Sequence, residues 1–203
     1  MGFQRFLVPT VRTVLCSLVS IVIRVATPVQ EARWVLRAQC GDREALELLL
    51  AAARPALQRY VTGLTGTSDA EDLLQDVLLI IYRKLPLLEQ PEVFRAWAFR
   101  IASRAAFRHL KKRNRWPARA RDEDAFDYLA APDPTPREDA VRALLATDTI
   151  SPASRAVLAL HFQEDLSLPD VAAILEIPLG TVKSRLSYGL SALRKHLNRE
   201  RSM

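Results

Sequence analysis

The chain has 203 residues, a formal net charge of +6, and two cysteines, Cys16 and Cys40, that lie far apart. The length holds one or two domains. The cysteine spacing excludes a disulfide framework or a zinc site and points to a reducing cytoplasm, while the positive charge fits a polyanion partner without requiring one.

Residues 1–30 form an extension in which Val14 to Ile23 is apolar between Arg12 and Arg24. About ten apolar residues are too few to span a bilayer, which needs roughly 20. A cleaved signal, a membrane-surface helix and a start placed upstream of the true one remain open; the last two are favoured, because nothing downstream looks secreted.

Glu31 to Gly63 reads as two helices, with Leu46, Leu48, Leu49 and Leu50 in a strong helix former. Pro55 either interrupts the pattern or opens the next helix at its first turn. Leu57, Tyr60, Val61 and Leu64 continue the apolar stripe, and Gly63, Gly66 and Thr67 mark a loop. Ser68-Asp69-Ala70-Glu71 has the form of a capping box opening a helix to about Leu85. Its expected core stripe is Leu73, Leu74, Val77, Leu78, Ile81 and Leu85. Asp72, Asp76, Leu79 and Arg83 line another face.

After a short loop at Glu89–Glu92, a long helix is expected from about Glu92 to Arg113. Phe94, Trp97, Ile101, Ala105 and Leu110 pack, and Arg100, Arg104, Arg108 and Lys111 share the other face. From Val93 to Arg121 there are ten basic residues and no acid; from Asp122 to Asp139, seven acids and one base. Charge sorted into blocks is expected where different surfaces meet different partners. Residues 119–136, acidic and rich in proline, read as a linker, and Arg137 to Leu145 and Ala153 to Phe162 read as helices.

Leu168 to Leu197 then reads as two helices joined by a tight turn at Pro178 and Gly180. Val182, Leu186, Leu190, Leu193 and Leu197 recur at helical spacing on the second. Lys183, Ser184, Ser187, Tyr188 and Ser191 occupy its other face, which is polar, small and free of acids. That division suits a helix lying in the major groove; a helical hairpin with a solvated face is the plainer alternative. No strand pattern occurs. The expected fold is all-α, two small helical domains near 31–116 and 137–200 joined by a flexible acidic linker at 117–136, the second domain a helix-turn-helix. His109, His161 and His196 are scattered and read as surface or boundary residues. No nucleotide-binding, nucleophile-elbow or metalloprotease motif is present, so neither catalysis nor a cofactor or metal is expected.

Three stretches carry a family resemblance. Asp69-Ala70-Glu71-Asp72-Leu73-Leu74-Gln75-Asp76-Val77, Phe94-Arg95-Ala96-Trp97-Ala98-Phe99-Arg100-Ile101-Ala102 and Ile177-Pro178-Leu179-Gly180-Thr181-Val182-Lys183-Ser184-Arg185-Leu186 occur in order. Together they resemble the bacterial RNA polymerase sigma factors of the extracytoplasmic-function group of the sigma-70 family, over about Glu31 to Leu197. The resemblance implies a promoter-specificity subunit that is not an enzyme. Its partners would be core RNA polymerase (clamp and flap), promoter DNA and an inhibitory anti-sigma factor.

It also implies site roles. Asp69, Asp72, Gln75, Asp76, Leu79 and Arg83 would meet the polymerase clamp. Arg100, Arg104, Arg108, Lys111, Lys112 and Arg113 would face the opening −10 region, with Arg115 extending the track. A flipped base would enter a pocket built by Leu88 to Val93 and the first turns of the helix, with Trp97 as core rather than a stacking platform. Arg104 stands where many relatives carry Asn, which leaves the flipped base open. Lys183, Ser184, Ser187 and Tyr188 would reach base edges of the −35 element, and Thr181 and Arg185 its phosphates. The linker would thread toward the active centre or act as a plain tether. Without the resemblance, the residues also fit a stand-alone helix-turn-helix regulator of duplex DNA.

Overall fold

The computed structural model describes residues 27–113 and 150–200, and every regular element in them is helical. The extension before residue 27, Arg115, the linker and the helix expected at Arg137–Leu145 lie outside the described residues. The described contacts divide into two units, one comprising the chain up to Ala53 with Leu88–Phe94, the other Arg54–Leu87 with the chain from Arg95.

In the first unit, α1 spans Pro28–Gln39. Thr27 caps it through a reciprocal box: the Gln30 amide donates to Thr27 Oγ1 at 3.3 Å, and the Thr27 amide to Gln30 Oε1 at 3.0 Å. This start was not foreseen. The helix stops at Cys40, and Gly41 takes the left-handed turn at φ 91°. Asp42 then caps the next helix, accepting from the Ala45 amide at 3.0 Å and from Arg37 Nε at 2.8 Å. The backbone amide first, and Arg37 second, hold its carboxyl below the usual carboxylate value. α1 packs on a 3₁₀ turn at Pro91–Val93, and Gln39 Nε2 donates to the Leu88 carbonyl at 2.8 Å.

α2 runs unbroken from Arg43 to Thr65 with Pro55 inside it, so Pro55 neither interrupts nor opens a helix. Pro55 sits on the exposed side. There the carbonyl its ring leaves without a donor can turn to water. The two helices of this region are therefore separated at Cys40–Asp42, not at Pro55. Gly63 is helical, and only Gly66, at φ 83°, makes the turn into α3, Thr67–Lys84. The expected Ser68–Glu71 box does not form. Gly66 occupies the cap without a side-chain bond, and Glu71 pairs instead with Arg54 at 2.7 Å.

The rest of the second unit builds on a pair of fully buried aromatic rings. Tyr60 of α2 and Phe99 of α4 (Phe94–Lys112) meet edge to face at 5.4 Å, and Tyr60 Oη lies 2.6 Å from Ser103 Oγ. Burial outweighs the Ser103 bond and raises the Tyr60 pKa, so the phenol stays protonated. Phe99 also re-aims α4. Ala98, Phe99, Ala102, Ala105, Ala106 and Leu110 are buried, whereas the expected packing residues Trp97 and Ile101 are only half-buried. On α3 the apolar stripe is buried as expected at Leu73, Leu74, Val77 and Ile81, with Leu85 just beyond it.

Ser151 caps α5, Pro152–Leu158, accepting from the Ser154 amide at 3.2 Å. A π-helical turn, Ala159–Gln163, follows. Such a turn widens the helix by one residue and commonly marks a functional bend. Here it delivers Glu164 into the interior, followed by Asp165 in the left-handed region at φ 52°. α6 is Leu168–Leu175, capped by Ser167; α7 is Leu179–Glu200. The turn between them lies at Glu176–Pro178, earlier than expected, and Gly180 is already helical. Glu176 holds φ 57° without being glycine, a conformation that strains an L-residue by about 1–2 kcal/mol. α6 and α5 both pack on α7.

Candidate functional site

The residues singled out in the sequence fall on three surfaces. On α3, Asp72, Gln75, Asp76, Leu79 and Arg83 are all exposed at helical spacings of three and four, so one face carries them. Leu79 is 44% and Tyr82 54% exposed on that face, and Leu87, just beyond the helix, is 77% exposed. Tyr82 was missed by the sequence reading; its place three residues after Leu79 was the available signal. Exposed apolar side chains therefore stand here among two acids and an arginine.

Asp69 departs from that set. Its carboxylate pairs with Arg113, and with His109 Nε2 at 3.3 Å, tying the start of α3 to the end of α4. Burial raises its pKa, but the bonds from His109 and Arg113 and the charge of Arg113 outweigh that, so the carboxyl lies below its ordinary value. Asp69 is thus committed within the chain, and His109, expected as a surface or boundary residue, is half-buried beside it.

The basic surface divides in two. Arg108, Lys111 and Lys112 are exposed and have no ion-pair partner among the described residues. Arg113 is held by Asp69. Arg100 Nη2 donates to the Ala173 carbonyl at 3.2 Å, and Arg104 makes a two-pronged contact with Glu176, Nε to Oε2 at 3.2 Å. Two further arginines, Arg59 and Arg95, each donate to Glu164 at 3.0 Å. Glu164 and Glu176 were not expected to have any role; a lone acid gives no sequence signal of the arginine it will meet.

On α7, Val182 of the expected packing stripe is buried and Leu186 and Leu190 are half-buried, while Gly189, outside that stripe, is buried too. A Cβ on Gly189 would lie 2.6 Å from Leu158 Cδ1, so glycine is what lets α7 cross α5 this closely. Lys183 is exposed, Tyr188 is 37% exposed, and Thr181, Arg185 and Ser187 are half-buried. Ser184 differs from expectation: it is 6% exposed, and its hydroxyl donates to the Thr181 carbonyl at 3.1 Å. At about 100° per residue it stands roughly 200° around the helix from Val182. α7 is therefore covered on its polar side as well, and Ser184 cannot reach a base in this conformation.

The sequence matches the model of sigma-70 region 2 over residues 49–116 and that of sigma-70 region 4 over residues 146–195, together more than half of the chain. It is 33% identical over 151 residues to the ECF RNA polymerase sigma factor SigE of Mycolicibacterium smegmatis, covering 71% of this chain and 58% of that relative. The chain belongs to the extracytoplasmic-function group of the sigma-70 family. The RNA polymerase sigma-H factor of Pseudomonas aeruginosa is 29% identical over 184 residues, 84% of this sigma factor and 95% of the relative. Among solved structures, the sigma factor RpoE of Bartonella quintana in complex with the anti-sigma factor NepR superposes with a TM-score of 0.56. It is 29% identical and covers 75% of this chain and 94% of its own. CnrH in complex with the cytosolic domain of CnrY superposes at 0.60 with 24% identity, which supports the all-helical fold. The region 2 match takes in both the α3 face and α4. The region 4 match takes in α6 and most of α7.

Proposed function

We propose that this sigma factor binds core RNA polymerase and directs initiation by reading and opening a bipartite promoter, its two halves acting as domains near 31–116 and 137–200. The exposed row Asp72, Gln75, Asp76, Leu79, Tyr82 and Arg83 carries the reading, because a free-standing DNA-binding regulator has no use for it. That row docks on the polymerase clamp. Asp69 belongs behind it, setting the angle between α3 and α4. Arg100, Arg104, Arg108, Lys111, Lys112 and Arg113 track the phosphates of the opened −10 strand. Lys183, Ser187 and Tyr188, with Ser184 once uncovered, read −35 base edges, while Thr181 and Arg185 hold phosphates.

Sigma factors are not enzymes by family, and no catalytic step is part of this reading. The partners are core polymerase and promoter DNA. An anti-sigma factor is a third, supported by the likeness to RpoE, which was solved with one. No described helix is long and apolar enough to cross a membrane. A cytoplasmic place follows from the proposed partners, and any membrane-surface contact would fall to residues 1–30.

Adding the purified chain to core polymerase and a promoter library tests this directly. The expected result is co-purification with core and transcripts from a subset sharing two spaced elements; failure of both refutes the reading. Lys183→Ala in the same assay is expected to weaken use of that subset about tenfold, since one good base contact is worth roughly 1–3 kcal/mol. Its co-purification with core should not change.

A further inference from the structure

Two of the arginines expected on the −10 strand, Arg100 and Arg104, donate to the helix-turn-helix half, and two arginines outside that set, Arg59 and Arg95, do so as well. Arg59 and Arg95 reach Glu164, Arg100 reaches the Ala173 carbonyl, and Arg104 reaches Glu176. In the reverse direction, the buried Arg155 donates to the Gly63 carbonyl at 3.2 Å. We infer that the helix-turn-helix half serves as an internal stand-in for the DNA backbone: its acceptors occupy two of the guanidinium groups that the opened strand needs, those of Arg100 and Arg104, and it must be displaced before that strand binds. This rests on the proposed function, but the contacts themselves do not.

The two acids are placed as latches. Glu164 caps the C-terminal end of the π-turn and Glu176 that of α6. A carboxylate is disfavoured at a helix C-terminus, where the last carbonyls are already negative, unless a cation answers it. Glu176 is further strained by its φ of 57°, a position glycine would fill without strain. Relief for both comes from Arg59, Arg95 and Arg104. The two are unequal. The Glu164 side chain is 1% exposed and cannot be left unpaired, whereas Glu176 and Arg104 are about half exposed and screened by water. Glu164 is the anchor and Glu176 the release point.

One more observation fits a form built to open: Arg100 Nε is buried without a partner here, a donor that water or a phosphate would satisfy after opening.

The test uses the full chain carrying Cys16→Ser and Cys40→Ser, with spin labels at Lys84→Cys and Ser191→Cys, both exposed positions. Glu164→Gln and Glu176→Gly are introduced singly and together. Glu176→Gly removes the latch while relieving the strained turn, so it keeps the fold should Glu164→Gln fail to. The inference requires the label distance to lengthen and broaden. It also requires affinity for an oligo-dT of about 12 nucleotides to rise roughly tenfold in the double variant, and severalfold in Glu176→Gly. Glu44→Gln with Glu47→Gln, the same charge change at exposed sites of α2, must do neither. An unchanged distance, an unchanged affinity, or an equal rise in that control overturns it. If the sigma reading itself were wrong, transcription with core would be absent while the distance still lengthened. If only the latch were wrong, transcription would proceed and the distance would stay.

Discussion

Reversing the charge of Asp72 and Asp76 together, as Asp72→Arg with Asp76→Arg, is expected to lower affinity for core polymerase by at least about 100-fold: the proposed docking row offers acids to its partner, and a reversal that sets like charges across an interface costs several kcal/mol. Both side chains are exposed and have no ion-pair partner among the described residues, so their loss removes no internal bond. Asp76 lies beyond the first turns of α3, where the positive helix end no longer explains an acid. Binding of the variant to −35 duplex DNA should match the parent, which separates lost docking from lost folding. Pull-down with core, beside a gel shift on the duplex, reads both. Equal retention of core by parent and variant would move the docking surface off α3.

Gly189→Leu is expected to destabilise the chain by about 3 kcal/mol, the upper part of the range for overpacking a filled core. Leu158, which the new side chain would meet, is fully buried, so it has nowhere to go. Against this stands the gain of up to about 1 kcal/mol that leucine brings when it replaces glycine inside a helix. The clash wins because the added Cβ alone falls inside contact distance of Leu158. Urea unfolding should show the midpoint fall. A midpoint that rises instead would mean that α7 can move off α5 freely.

What could be read in advance follows from which interactions are local. The apolar stripe of α3 and the exposed row beside it depend on neighbours three or four residues away, and spacing reveals them. Pro55 misled because a proline's effect depends on whether its side of the helix faces water. The Ser68–Glu71 pattern misled because Arg54, in the preceding helix, takes Glu71. Trp97 and Ser184 were misjudged for the same kind of reason: a distant element decides whether a helix face is covered. The roles of Glu164 and Glu176 were illegible, since each meets arginines 69 to 105 residues away in sequence.

The bond of Asp69 to His109 and Arg113, with Tyr60 meeting Phe99 and Ser103 further in, has a mechanical consequence. α3 is tied to the far end of α4, and α4 is keyed to α2 along its middle, so α3 and α4 form a stiff two-armed bracket. Under the proposed docking, load placed on the α3 arm by a massive partner would be carried to the α4 arm without slack. The angle at which Arg108, Lys111 and Lys112 present themselves to a strand would then be set when the other arm is seated.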